Sequence, residues 1–234
     1  MIDTKYTYAV ARIRALETSL LNSAVIEQLM ACQTDVQCLQ LLQEKGWGDA
    51  DTPENAEAIL SREQEKIWET IRDLGVDMSV FDVLSYPNLF HNLKAAIKDA
   101  CTSESGKHLN IYYEDTSISP DEMLEIVRSK DFSRLPKIMS EAAKEAYETL
   151  LHTRDGQLCD VMIDRATLDA VYAAGKASKA QIIRDYAEST VAVADIKIAV
   201  RSQKTAKSID FMKRAMAECD SVSVDQLSKA ALSG

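Results

Sequence analysis

At 234 residues the chain has the length for one large or two ordinary domains with a buried core. Seven Gly and four Pro stand among abundant Ala, Leu, Glu, Gln and Lys, a mixture that favours helix. The net charge of −10 is uneven: residues 1–117 carry 10 Lys/Arg against 19 Asp/Glu, and the remainder 17 against 18, a field that repels phosphate backbones and excludes a nucleic-acid role.

The five cysteines are odd in number, show no C-x-x-C pairing, and read as reduced, mostly buried small hydrophobes of a cytosolic protein. No apolar run precedes a small-residue cleavage site, so no signal peptide is expected. The longest near-apolar run, Val191 to Val200, is interrupted by Asp195 and Lys197, too short and too charged for direct membrane insertion.

In chain order, Tyr8, Ala11, Ala15, Thr18 and Leu21 share one face and predict an amphipathic helix from Thr4 to Leu21. A short helix over Ala24 to Ala31 and another from Thr34 to Lys45 follow, the latter stopped by Gly46-Trp47-Gly48. Asp49 to Asn55 reads as a loop with Pro53 at a helix start, and Glu54 to Leu74 as a long helix ended by Gly75. Val76 to Tyr86 reads as a helix that stops before Pro87, because the residue ahead of proline avoids the α region. Asn88 then offers an N-cap to a helix over Leu89 to Ala100.

Cys101 to Ser117 is expected to be loop, although Ile111-Tyr112-Tyr113 has strand character, and Asp121 to Ser129 helix. Pro136 opens the next helix, Lys137 to His152. No proline follows it, and helices are expected over Gly156 to Tyr172, Ser178 to Ser189, Val191 to Ser202, Ala206 to Cys219 and from Val224 onward. Period-two alternation is absent, so the predicted class is all-α.

One pattern recurs. Arg14, Lys94 and Lys197 each follow an aliphatic residue, and each is followed 20 to 26 residues later by a Ser/Thr-x-x-Glu/Gln box: Thr34-Asp35-Val36-Gln37, Ser119-Pro120-Asp121-Glu122 and Ser223-Val224-Asp225-Gln226. Such a box starts a helix, the hydroxyl accepting from the backbone N–H three residues on. Three at matched spacing argue for equivalent units, residues 1–86, 87–190 and 191–234, with the third cut short.

The sequence offers little for catalysis. Neither a Walker-type phosphate loop nor a G-x-G-x-x-G turn is present, and His91, His108 and His152 do not form H-E-x-x-H. Glu148/His152 and Asp160/Asp164 pair at i,i+4 and have the spacing to share a metal ion, against the plainer reading of solvated charged faces. No cofactor is expected.

Cations give the candidate partner-binding set. Arg14, Lys94 and Lys197 read either as a ring of charge around an internal pseudo-threefold axis or as stems packed locally and paired with Glu17, Asp99 or another carboxylate. Arg201 belongs to a late basic group with Arg184, Lys197, Lys204, Lys207, Lys213 and Arg214, read either as a docking surface for an acidic partner or as the wet face of two helices.

The stretch Tyr6-Thr7-Tyr8-Ala9-Val10-Ala11-Arg12-Ile13-Arg14-Ala15-Leu16-Glu17, with Leu20-Leu21, resembles the opening of the C-type stalk subunit of bacterial and archaeal V-type ATPases, the counterpart of the eukaryotic d subunit. Asn88-Leu89-Phe90-His91-Asn92-Leu93-Lys94 is similar to that family's second signature, and Asp185-Tyr186 with Ala192-Val193-Ala194-Asp195-Ile196-Lys197 to its third. There the family's usual Asn is Asp195 and its leading Asp is Ala192.

The resemblance implies a funnel of three similar helical lobes, with the third incomplete here. It also implies a non-catalytic component, cytoplasmic and peripheral on the membrane, that sits on the proteolipid ring and holds the foot of the central stalk, so that torque passes through it for proton or sodium transport. Apolar surface meant for the missing helices is then expected to be exposed. The rival expectation is an all-helical repeat scaffold whose stacked units bind a partner helix or peptide, and a third is a metal-dependent helical enzyme.

Overall fold

The computed structural model describes residues 6–52, 55–101 and 111–233. The expected helix starts at Thr4, Pro53 and Glu54, residues 102–110 of the predicted loop, and His108 lie outside them. Among the described residues there is no strand, and the chain is all-α. It divides into two compact units, residues 1–78 and 79–234.

The first unit carries α1 (Thr7–Glu17), α2 (Ser23–Ala31), α3 (Asp35–Glu44) and α4 (Ala56–Asp73). Their starts are local chemistry: Asn22, Thr34 and Asn55 each accept a backbone N–H from three residues on, at 3.1, 3.3 and 2.8 Å. The Gln37 side chain reaches back to the Gln33 N–H at 2.9 Å. Gly46, Gly48 and Gly75 close α3 and α4 with φ of +84°, +76° and +63°, where a side chain is strained. α1 is shorter than the predicted Thr4 to Leu21, ending at Glu17.

The second unit contains α5 (Asp82–Cys101), α6 (Pro120–Ser129), α7 (Lys137–Thr153), α8 (Gly156–Ala177), α9 (Gln181–Lys204), α10 (Ile209–Ala215) and α11 (Val224–Ser233). Two expectations fail here. α5 runs straight through Pro87, with no stop before it and no cap at Asn88. Proline removes one helical hydrogen bond, but Val83, Leu89 and Phe90, at most 3 % exposed, bury apolar surface on both sides of it. At about 1.5–3 kcal/mol per fully buried large side chain, that packing outweighs one lost bond. Likewise α9 is one helix of 24 residues rather than two, because Ala187, Val191 and Ala192 continue a buried face past Thr190.

The main core gathers Phe90, Leu93 and Ile97 of α5, Met123, Ile126 and Val127 of α6, Met139 of α7, and Cys159 and Ile163 of α8. A smaller cluster joins Ala199 of α9, Met212 and Met216 of α10 and its exit, and Val224 of α11. The hairpin of α8 and α9 closes tightly at Gly175, where an added Cβ meets Ala187 Cβ at 2.2 Å. Both atoms hang directly on backbone, so no side-chain rotation relieves the contact.

Replacing Gly175 with Ala is therefore expected to destabilise the protein by about 1–2 kcal/mol, the overpacking cost exceeding the gain in helix propensity. Thermal unfolding followed by circular dichroism checks it. The double variant Gly175→Ala/Ala187→Gly should recover most of the loss, whereas additive losses contradict the contact.

Candidate functional site

α5 and α9 each hold the chain that crosses back over them. On α5, the Asn92 carbonyl oxygen accepts the Tyr113 N–H at 2.9 Å and its amide donates to the Tyr113 carbonyl at 2.8 Å and to Thr116 Oγ1 at 3.1 Å. His91 bonds the Ile111 carbonyl at 2.7 Å and sits edge-on to the Tyr113 ring at 5.1 Å. On α9, Asp195 Oδ1 accepts the Ala217 N–H at 3.1 Å.

The two grips are counterparts. Each reaches a backbone 21 or 22 residues on, and each gripped residue lies six residues before a capping hydroxyl. Ser119 accepts the Glu122 N–H at 3.3 Å to start α6, and Ser223 the Gln226 N–H at 3.5 Å at the start of α11. In the first unit the matching position is Arg12, whose guanidinium bonds Asp73 and Tyr8 at 3.3 Å each, so that copy has a cap but a different anchor.

Lys94 and Lys197 stand two residues beyond these anchors and have different surroundings. Lys94 reaches across to α8 and pairs with Asp164 at 2.7 Å rather than with Asp99, which takes Arg128 at 2.9 Å. Lys197 is exposed and has no polar partner among the described residues. Arg14, in the first unit, pairs with Glu17 at 2.7 Å on an exposed face, where screening leaves such a pair little weight.

Arg201 lies one helical turn beyond Lys197, at the lip of a cleft of about 540 Å3 between α8, α9 and α10. Of the nominated cations only Arg201 lines the cleft; Lys94 bears on it indirectly, through its pair with Asp164 in the wall. Its lining repeats at helical spacing, Gln157, Val161 and Asp164 on α8 and Ile198, Arg201, Ser202 and Thr205 on α9, with Phe211 and Ala215 of α10 closing it. Lys207 bonds Gln157 Oε1 at 2.8 Å and lies 5.0 Å from the centre of the Phe211 ring.

Sequence reading missed the apolar half of this cleft. Val161, Ile198 and Phe211 are ordinary amphipathic positions until three helices converge on them. Its one legible signal was the face Ile198, Arg201, Ser202, Thr205.

The metal-sharing pairs are otherwise engaged or open. Asp160 Oδ2 accepts from Lys98 at 2.8 Å and Asp164 from Lys94, while Glu148 and His152 are exposed on α7. Among the described residues no three His, Cys, Asp or Glu are grouped to hold a metal ion, and no helix is long and apolar enough to cross a membrane. The cysteines are free thiols; burial pushes Cys159 up to about 11, while Cys32, Cys38 and Cys219 are only half buried.

A family model described as ATP synthase (C/AC39) subunit matches residues 9–233. No curated protein and no solved structure matches the chain.

Asp195 stands where the resemblance expects Asn, and Asn92 shows what the amide does: one atom accepts, the other donates. The carboxylate of Asp195 is fully buried, and its Oδ2 has no hydrogen-bond partner among the described residues. Burial pushes its pKa up from 3.8 to about 6, with Glu218 and Asp169 adding to the effect and the Ala217 N–H and Arg165 opposing it. The folded state thus holds the proton more tightly than the unfolded one, and the stability this brings is complete below 3.8 and lost as pH rises through about 6. At about 1.4 kcal/mol per tenfold change in proton affinity, the span is roughly 3 kcal/mol.

Asp195→Asn is expected to be more stable than the native protein at pH 7 and to lose that advantage, by roughly 2–3 kcal/mol, on acidification to pH 4. Urea unfolding at a series of pH values checks it, and a difference independent of pH contradicts it.

Proposed function

Because the chain belongs to the ATP synthase (C/AC39) subunit family of V-type ATPases, we propose that it is the coupling subunit linking the central rotor shaft to the membrane proteolipid ring during proton or sodium transport. In this role it is non-catalytic and peripheral on the cytoplasmic side, and its partners are the central-stalk subunits and the ring. The observation that carries the reading is the match over residues 9–233.

The physical character of the chain supports it. Torque passes through a body only if its elements do not slide, and the second unit meets that need with close-packed helices whose crossing segments are tied by Asn92, His91 and Asp195. The division into repeats 1–86, 87–190 and 191–234 belongs to the same proposal, as does their arrangement as three lobes around a hollow axis. The paired anchors and caps at Asn92/Ser119 and Asp195/Ser223 support the last two being copies of one another. Arg14, Lys94, Lys197 and Arg201 are its partner-facing cations.

Mixing the chain with purified central-stalk subunits, and separately with detergent-solubilised proteolipid ring, tests the role by co-elution in size exclusion. Retention of both is expected. A chain that binds neither, while binding unrelated amphipathic helices, fits the repeat scaffold and defeats the coupling role.

A further inference from the structure

We propose that the cleft between α8, α9 and α10 is the docking site for an amphipathic helix of the shaft subunits, which places an apolar side chain on the cleft floor and a carboxylate against Arg201. The identity of that partner rests on the coupling role; the chemistry of the site rests on its own geometry.

An ion pair sets the charge of the cleft. Asp164 is the one carboxylate among the described residues of its wall, and it is engaged by Lys94 of α5 at 2.7 Å. Arg201 is left with no polar partner for its guanidinium among the described residues. Lys207 is held in place, but by a neutral amide and an aromatic ring, neither of which cancels its charge. The cleft therefore presents two uncompensated positive charges in a chain whose net charge is −10.

Charge complementarity selects an acidic occupant. A guanidinium gains most from a carboxylate, which it binds through two parallel hydrogen bonds.

The floor selects the rest. Val161, Ile198, Phe211 and Ala215 offer apolar surface that a purely acidic segment leaves wet. A furrow bounded by helix faces is filled by a helix with an apolar anchor and flanking carboxylates. A volume of about 540 Å3 holds such an anchor with room for its neighbours.

The full-length chain is titrated with two fluorescent fifteen-residue helical peptides, identical except that a central Leu is flanked by Glu in one and by Lys in the other. The acidic peptide is expected to bind at least about tenfold more tightly, with the advantage shrinking in high salt. In the double variant Arg201→Glu/Lys207→Glu the preference should invert, and Arg201→Gln should weaken only the acidic peptide. Circular dichroism should be unchanged, since Arg201 is exposed and the half-buried Lys207 contributes only its bond to Gln157 and its contact with Phe211.

Equal binding of the two peptides, or a preference that survives the double variant, overturns the proposal. Retention of the shaft subunits by the double variant as tightly as by the native chain overturns it while leaving the coupling role intact. Failure of the native chain to retain them sinks both.

Discussion

The second unit depends on side-chain oxygens that hold backbone at long range. Ahead of the caps of α6 and α11, residues 111–118 and 216–222 are irregular. Backbone N–H groups there have no helix to satisfy them, and leaving one buried and unpaired costs on the order of 1–3 kcal/mol. Asn92 and Asp195 supply the missing acceptors from the middle of long helices. By doing so they fix where Ser119 and Ser223 stand, and hence where α6 and α11 begin.

The two anchors show how one position tolerates two chemistries at different cost. An amide both accepts and donates, so Asn92 answers the Tyr113 N–H and carbonyl together. A carboxylate only accepts. Asp195 therefore answers one N–H and leaves Oδ2 orphaned inside the fold. The raised proton affinity is the same fact seen electrostatically: a proton on the acid gives it the donor that Asn has by constitution.

Charge is distributed on a similar logic. The pair of Lys94 and Asp164 ties α5 to α8 and also decides what the neighbouring cleft offers, because a carboxylate already engaged does not quench Arg201. Stiffness and recognition thus share residues. Under the proposed coupling role that economy is physically apt, since a surface that grips a partner must not move against the body that carries it.

Sequence by itself determined what is local. Helical class, the capping starts at Thr34, Ser119 and Ser223, and the stops at Gly46 and Gly75 follow from contacts within four residues along the chain, which composition and spacing record directly. The family signatures were legible in the same way, as short runs such as Asn92-Leu93-Lys94. Tertiary structure alone decided whether Pro87 ends a helix, whether α9 breaks at Thr190, and which carboxylate Lys94 takes. Asp99 is five residues from Lys94 and Asp164 seventy, yet the distant one is its partner. Burial on both sides of Pro87 and Thr190, and the approach of α8 to α5, come from helices far apart in the chain. No local pattern encodes which of several apolar faces will meet.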